Sequence, residues 1–231
     1  MLIQPLTLCQ REAILRPMSE LSQRREEEKE QRRAEIIDAA EAVYADVGWD
    51  ATTIDQVARR ARLSRALVYV YFKDKQDLHF AIVERALEDL HRRFQEAARA
   101  PKTGIAKVEA IGRAYVQYSR ETPHYFDACS QFQAYQAGEA AADPNEDACL
   151  NASRQVHGVL VEAIRTGMQD GTIRPDLGDP LMTAIALWGF AHGIIQLAST
   201  KVEMLKKFDI AIDPLIQHGF GLMTASLINR T

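Results

Sequence analysis

Twenty residues near the N-terminus, Thr53 to Phe72, combine side-chain types and spacing that could bind nucleic acid. From Arg59 to Lys75 there are six cations and one anion, a local charge of +5 in a chain whose net charge is −4. The hydroxyl-bearing rings of Tyr69 and Tyr71 are interleaved with these cations. Basic and aromatic side chains on a helix small enough for the major groove are typical of helix-turn-helix DNA-binding proteins. The alternative is a solvated cationic face on an ordinary helical hairpin.

Two short helices joined by a tight turn would present these groups. Thr53 and Gln56 have the spacing of a capping box, in which the two residues satisfy each other's free backbone N–H groups. The apolar residues that follow recur at i, i+3, i+4 and i+7 and predict one buried face: Ile54, Val57, Ala58 and Ala61. Ser64 is a natural N-cap for a second helix, whose Val68 and Phe72 share one side. The other side chains of that helix are then free to contact a partner: Arg65, Leu67, Tyr69 and Tyr71.

Helices on both sides of this pair would brace it. The preceding segment carries a helical apolar stripe that ends at Gly48, a typical C-cap: Ile36, Ala40, Val43 and Val47. After Phe72, Asp74 caps a long helix that runs to about Ala100. Its predicted buried side consists of Leu78, Ile82, Leu87, Leu90 and Phe94.

The segment from Ile36 to Leu78 resembles the DNA-binding domain of TetR-type transcriptional regulators. The residues that carry the resemblance are Ala39, Ala40, Gly48, the Thr52-Thr53 pair, the run SRALVYVYF, Lys75 and Leu78. Arg62 and Ala66 stand where the family pattern has glycine. At Arg62 the turn usually needs a positive φ, which costs a residue with a Cβ roughly 1 kcal/mol. The resemblance implies an all-α fold, in which a three-helix helix-turn-helix head is joined by a long helix to a helical ligand-binding and dimerisation body.

Individual side chains of the motif have expected roles in DNA binding. Arg65 and Leu67 are expected to contact bases, with arginine pairing to guanine and leucine meeting a thymine methyl. Ser64 caps the helix within the same interface. Phosphate contacts, which fix the register without reading sequence, are expected from Thr53, Tyr69, Tyr71, Lys73 and Lys75. The expected partner is a pseudo-palindromic double-stranded operator, and the expected function is repression that a small molecule relieves.

The remainder of the chain has helical patterns and no strand pattern. We predict helices at about 105–120, 124–136, 147–169, 180–200 and 213–229. The corresponding domains are an N-terminal extension at 1–29, a DNA-binding domain at 30–90 and a regulatory and dimerisation domain at 91–231. Within the extension, the charges of 20–35 alternate in short blocks, which indicates either a solvated lengthening of the first helix or a basic arm.

Two late helices are predicted to form a homodimer interface, near 180–200 and 213–229. The stretch ALWGFAHGIIQLAST resembles a C-terminal helix of many TetR-type proteins. Its small residues leave a shallow face that another helix can approach closely: Ala186, Gly189 and Gly193. Gly219 and Ser226 supply a similar face on the last helix. The alternative is that these faces make intrachain contacts only.

An effector cavity is expected where aromatic and polar residues mix in the body. The candidate ligand-binding residues are Tyr115, Tyr118, Phe126, Phe132, Trp188 and His192, with Tyr135 nearby. The alternative for each ring is ordinary core filling.

Composition and spacing argue against other classes of protein. The chain has 231 residues, 47% hydrophobic and 26% charged, as soluble globular proteins do. Three scattered cysteines and six dispersed histidines predict no disulfide framework, metal site or cofactor, and no catalytic motif is present. We expect no membrane span and a cytoplasmic protein associated with the nucleoid. Two alternatives are a ligand-independent architectural DNA-binding protein, whose body would lack a cavity of small-molecule size, and a helical enzyme or carrier.

Overall fold

The computed structural model describes residues 20–133 and 144–228. In these two ranges the secondary structure is helical, apart from one isolated antiparallel bridge between Ile173 and Ile228. Tyr135 and the first nineteen residues lie outside the described part. The helices are α1 (Glu20–Val47), α2 (Ile54–Ala61), α3 (Arg65–Tyr71), α4 (Lys75–Arg99), α5 (Gly104–Glu121), α6 (Pro123–Gln131), α7 (Pro144–Asp170), α8 (Pro180–Thr200), α9 (Val202–Lys207) and α10 (Ile212–Leu227).

Helix α1 is longer than its apolar stripe requires. It begins at Glu20, so residues 20–29 of the predicted extension form its first turns, and their side chains from 22 onward are exposed. Exposed ion pairs such as Arg24–Glu28, 3.1 Å apart, lie along this part of the helix. The helix ends where predicted, because Gly48 adopts a positive φ of 79°.

The head consists of α1, α2 and α3 around a small apolar core. Most residues of the predicted stripes are buried here, and Ile36, Val57, Val68 and Phe72 are fully inaccessible to solvent. Two were wrongly placed: Val47, at the end of α1, is 46% exposed, and Ala61, at the end of α2, is partly buried. Helix α4 follows directly, has buried residues from Asp77 to Phe94, and packs on α1, α5, α6 and α7. Most of its buried residues belong to one continuous cluster that also contains buried residues of the head and of the body.

The body is held together where α5 meets α7. A Cβ on Gly104 would lie 1.9 Å from the backbone nitrogen of Gly167, so the two helices touch backbone to backbone. Asp170, at the end of α7, accepts a hydrogen bond of 2.8 Å from the Gly104 N–H and so caps α5 from another helix. Hydrogen bonds from Thr172 and Gly104 hold the pKa of the Asp170 carboxyl below its usual range.

The predicted all-α class and the division into head, long helix and body are confirmed. The prediction for α8 has the observed bounds, and those for α5, α7 and α10 are within a few residues. Two details were wrong. Helix α6 ends at Gln131, with Phe132 extended, and the short helix α9 was not predicted.

Candidate nucleic-acid interface and small-molecule cavity

Helix α2 is fixed at both ends by local hydrogen bonds. At its N-terminus the predicted capping box forms: the Thr53 Oγ1 accepts from the Gln56 N–H, and the Gln56 side chain accepts from the Thr53 N–H at 2.8 Å. The Thr53 hydroxyl also donates to the Gln56 Oε1. The proton that a phosphate contact would use is therefore already committed to the cap.

The turn after α2 keeps its left-handed geometry without glycine. Arg62 has φ 58° and ψ 38°. Its N–H donates to the carbonyls of Ala58 and Arg59, and the N–H of Leu63 donates to the Ala58 carbonyl at 2.9 Å. The Leu63 side chain packs against the core. These bonds form a Schellman-type ending that offsets the roughly 1 kcal/mol cost of a Cβ in this conformation.

Helix α3 places one side in the core and the opposite side in solvent. Ser64 caps it by accepting from the Leu67 N–H at 3.2 Å, while Val68 is fully buried. Ala66 and Val70 stand two residues from Val68 in either direction and therefore point away from the core. Val70 is 75% exposed, whereas Leu67, predicted for the exposed face, is partly buried.

Arg65 is exposed and held in a defined position on this outer surface. Its guanidinium lies 3.5 Å from the Asp55 carboxylate on α2 and donates to the Tyr69 hydroxyl at 3.3 Å. It also lies over the Tyr69 ring, 5.5 Å from the centroid. The hydrogen bond to Tyr69 and the charge of Asp55 raise the pKa of Arg65 further. The Arg65 side chain is thus an exposed cation that Asp55 and Tyr69 hold against the surface of the head.

Lys75, predicted to contact phosphate, lies against the loop between α1 and α2. Its ammonium donates to the Trp49 carbonyl at 2.6 Å and lies 4.7 Å from the centroid of the Trp49 ring. Partial burial lowers its pKa. Lys73 is exposed, and Tyr71 is partly buried against the core. The structure brings Arg65, Tyr69 and Lys73 to the outer surface and leaves Lys75 bracing the loop between α1 and α2.

The body contains a small, partly open cavity of about 30 Å³, comparable to the volume of one water molecule, and Trp188 on its lining is 40% exposed. Of the six predicted ligand residues, Tyr115 and Trp188 line it. His192 and Phe126 lie one layer behind, with their rings stacked 4.7 Å apart. The remaining lining residues were missed, because they are ordinary apolar residues: Phe94, Val108, Ile111, Gly112, Leu160, Leu187, Ala191, Phe220 and Met223.

Tyr118 and Phe132 do not line this cavity. Tyr118 is fully buried between helices, where its hydroxyl donates to the Ala86 carbonyl at 2.9 Å. Phe132 packs edge-on against Phe80, with the centroids 5.8 Å apart. For these two rings the core-filling alternative describes the observed environment.

A directed chain of hydrogen bonds borders the cavity. The Ser130 hydroxyl donates to the Phe126 carbonyl at 2.7 Å, so its oxygen accepts from the His192 Nε2–H at 3.1 Å. The His192 Nδ1 then accepts from the Tyr115 hydroxyl at 2.8 Å, whose oxygen accepts from the Trp188 indole N–H at 3.2 Å. Burial lowers the pKa of His192 and raises that of Tyr115. Both groups are therefore neutral, as this chain requires.

Helix α6 connects the cavity region to the head. Phe126 and Ser130 face His192, whereas Tyr125 and Asp127 face α1. The Tyr125 hydroxyl donates to Glu41 at 2.9 Å, and Asp127 accepts from the Tyr44 hydroxyl at 2.8 Å. One short helix thus contacts both the cavity wall and the first helix of the head.

A broad apolar surface on α8 and α10 is exposed. On α8 the side chains of Leu181, Met182, Ile185 and Phe190 are between 42% and 74% exposed, and Leu222 on α10 is 56% exposed. A groove of about 630 Å³ runs between the two helices. By length and composition alone α8 is apolar enough to cross a membrane, a property that it shares with core helices of soluble proteins, and 28% of its apolar window is buried inside the chain.

The glycines of this region have different environments. A Cβ on Gly189 or Gly193 would meet no atom within 4 Å, so both face open space. A Cβ on Gly219 would lie 2.5 Å from the Ile194 side chain, so Gly219 allows α10 to approach α8 of the same chain. The intrachain alternative holds for Gly219, while the shallow face of α8 is open.

A three-helix head whose third helix, α3, carries an exposed arginine and presents one side to solvent is typical of helix-turn-helix DNA-binding regulators. Residues 36–82 match the family described as bacterial regulatory proteins, tetR family, and residues 108–217 match the tetracyclin repressor-like C-terminal domain. The chain belongs to the TetR family of bacterial transcriptional regulators. Members of this family bind DNA operators, dimerise and bind small-molecule effectors, and they are regulators rather than enzymes.

Several named proteins are similar to this chain. It is 28% identical over 146 residues to the HTH-type transcriptional regulator HbdR of Aromatoleum sp. (strain CIB), an alignment that covers 63% of this chain and 62% of HbdR. It is 27% identical over 90 residues to the HTH-type transcriptional activator FasR of Mycolicibacterium smegmatis, covering 39% of this chain and 41% of FasR. The fold resembles FadR of Bacillus subtilis in complex with stearoyl-CoA, with a TM-score of 0.63, 16% identity, and 84% and 98% of the two chains covered.

Proposed function

We propose that this protein is a homodimeric repressor that binds a pseudo-palindromic operator through α3 of each subunit and is released by a small molecule. The observation that carries the proposal is the division of α3 into two sides. Val68 is buried, as is the C-cap residue Phe72, whereas Arg65, Tyr69 and Val70 are exposed. A seven-residue helix with this division fits the major groove while its other side remains in the head.

In this proposal Arg65 pairs with a guanine through its guanidinium fork. Val70, rather than Leu67, meets a thymine methyl, because Val70 is the more exposed. Phosphates are held by Tyr69, by Lys73 and by the Ser64 hydroxyl, whose proton is not used in capping α3. Lys75 acts indirectly by supporting the loop before α2.

The second subunit is proposed to cover the exposed apolar surface of α8 and α10. An apolar surface of this extent on a soluble protein marks an interaction site. The open faces at Gly189 and Gly193 would let a helix of the partner approach closely. A twofold body also places two copies of α3 on one side of the DNA, as a palindromic operator requires.

Release of the operator is proposed to start at the cavity beside Tyr115 and Trp188 and to pass through α6. A ligand that enlarges this cavity must disturb the chain that ends at the Phe126 carbonyl on α6. Because Tyr125 and Asp127 on the same helix bond to α1, a shift of α6 would move the head. The effector then favours a head spacing that no longer fits both half-sites.

The small size of the cavity favours a second candidate, the ligand-independent architectural DNA-binding protein. At about 30 Å³ the cavity admits no organic effector in this conformation. The two candidates differ in whether a small molecule changes DNA binding. The FadR structure similar to this chain was determined with stearoyl-CoA, which supports the ligand-responsive candidate.

The proposal is tested by selecting high-affinity duplexes from DNA that flanks the protein's own gene and measuring gel shifts. We expect an inverted repeat that binds two subunits, and loss of its preference over random DNA when Arg65 is replaced by alanine. Selected fragments without twofold symmetry, or no selection at all, would contradict the proposal.

A further inference from the structure

The small cavity beside Tyr115 and Trp188 shares one wall with a large surface groove. The groove lies between α5 and α10 and has a volume of about 600 Å³. Gly112 on α5 and Phe220 on α10 line both spaces. A Cβ on Gly112 would lie 2.6 Å from Cε1 of the Phe220 ring, so the ring rests directly on the glycine backbone. The Phe220 ring therefore lies between the groove and the cavity on this side of the body.

The two spaces differ in size and in the groups that line them. Organic ligands need roughly 300–1,000 Å³, which the groove provides and the cavity does not. The floor of the groove is apolar, with Val116, Ile216 and Phe220, and its rim is charged. At the rim the Arg120 guanidinium pairs with Asp213, while Arg113 is 71% exposed and lies 4.0 Å from Glu109. The long contact with Glu109 and the high exposure leave the Arg113 guanidinium accessible to a ligand in the groove.

We propose that the groove between α5 and α10 is the binding site and access route for an amphipathic anion with a linear or flat apolar part. Its carboxylate or similar group lies at Arg113, since guanidinium groups suit such oxyanions. Its apolar end displaces the Phe220 ring and enters the cavity beside Trp188. This inference rests on the proposed ligand-responsive function and names the class of ligand and its path.

The partner subunit and this ligand would use different sides of α10. The groove facing the proposed partner is lined by Leu222 and Ser226 of α10, whereas the α5 groove is lined by Gln217, Gly221 and Thr224. Ligand binding is therefore compatible with the dimer. Displacement of Phe220 places the ligand against Tyr115 and Trp188, where the hydrogen-bond chain to α6 begins.

The path is tested by tryptophan quenching with two bromine-labelled probes, 12-bromododecanoate and 2-bromododecanoate. Bromine quenches tryptophan only at close range, and the chain has two tryptophans, Trp49 in the head and Trp188 at the cavity. We expect saturable quenching by the 12-bromo acid, weaker quenching by the 2-bromo acid, and loss of the difference in Trp188→Phe. Equal quenching by both probes, or quenching that survives in Trp188→Phe, would overturn the proposed path.

The wall and the charge are tested separately by calorimetry with unlabelled dodecanoate and dodecanol. Phe220→Leu, a smaller apolar replacement, should tighten dodecanoate binding. Arg113→Gln should weaken dodecanoate binding by about tenfold, as expected for one charge-assisted hydrogen bond, and leave dodecanol unchanged. Arg165→Gln is the matched control, because Arg165 is similarly exposed and lies 3.8 Å from Glu162 on α7.

The proposed groove site would be contradicted if Arg113→Gln and Arg165→Gln changed dodecanoate affinity equally. It would also be contradicted if Phe220→Leu left dodecanoate affinity unchanged. The same preparations are also assayed on operator DNA. If operator binding is intact and dodecanoate does not bind, the groove assignment is wrong and the DNA-binding proposal stands. If operator binding is absent, the proposed function fails by itself.

Discussion

Replacement of Arg65 by alanine tests the proposed base contact most specifically. Arg65 is exposed and is positioned by Asp55 and Tyr69, so its removal takes away no buried contact. The head should therefore stay folded, with an unchanged melting temperature. A loss of DNA binding in this variant would report the interface directly.

The expected size follows from the contact that is lost. A bidentate arginine–guanine pair contributes about 1–3 kcal/mol of discrimination. A symmetric operator has two such pairs, so additive half-sites would lose about 2–6 kcal/mol in total. Random DNA offers no such pair and loses only the contribution of one cation per subunit, which is smaller and depends on salt.

The assay is fluorescence anisotropy of a labelled operator duplex at fixed salt, with a random duplex measured in parallel. The control is Arg165→Ala on α7, which removes an arginine whose side chain is 57% exposed, close to the 60% of Arg65. The control should change neither affinity. If Arg65→Ala reduced binding to operator and random DNA by the same factor, Arg65 would be a phosphate contact and the reasoning would be wrong.

Four further changes have expected outcomes. Arg62→Gly should stabilise the protein by about 1 kcal/mol in thermal unfolding, because glycine accepts the left-handed conformation without strain; a lower melting temperature would contradict this. Lys75→Met should lower both the melting temperature and the affinity for all DNA, because the ammonium group supports the loop between α1 and α2 at Trp49. An unchanged melting temperature would indicate that Lys75 contacts phosphate, as the sequence predicted. Burial lowers the pKa of His79 to about 4, whereas a histidine in the unfolded chain has a pKa of about 6.5. As the pH is lowered from 6.5 to 4, the unfolded chain binds this proton before the folded chain does. The free energy of unfolding should therefore fall on the order of 1–3 kcal/mol over this range. His79→Phe should reduce that fall, and an identical pH profile would refute the assignment. The double variant Tyr44→Phe, Tyr125→Phe removes the two hydrogen bonds described between α6 and α1. It should weaken the release of operator DNA by dodecanoate, while the affinity for dodecanoate, measured by calorimetry, stays the same. Unchanged release would exclude coupling through α6.

Much of the head could be predicted because its signals are local. The caps at Thr53 and Ser64 depend on residues three positions apart, and the structure contains both. The turn at Arg62 was placed correctly, although its sequence lacks the usual glycine. Local hydrogen bonding therefore set the ends of these helices.

Details that depend on packing between helices were less predictable. Leu67 is near enough to the buried side of α3 to be partly covered, and Val70 takes the outward position. Tyr118 belongs to the same aromatic sequence pattern as Tyr115, yet only Tyr115 reaches the cavity. Phe220 carries no motif, and its position against Gly112 follows from how α10 crosses α5. Such contacts depend on the approach of distant segments.

In the proposed function, two copies of α3 act together on one duplex. The most direct test is the stoichiometry and affinity of the complex, measured by analytical ultracentrifugation with the full operator and with a single half-site. We predict two chains on the full operator and much weaker binding to the half-site. One chain bound to each duplex with equal affinity would contradict the account.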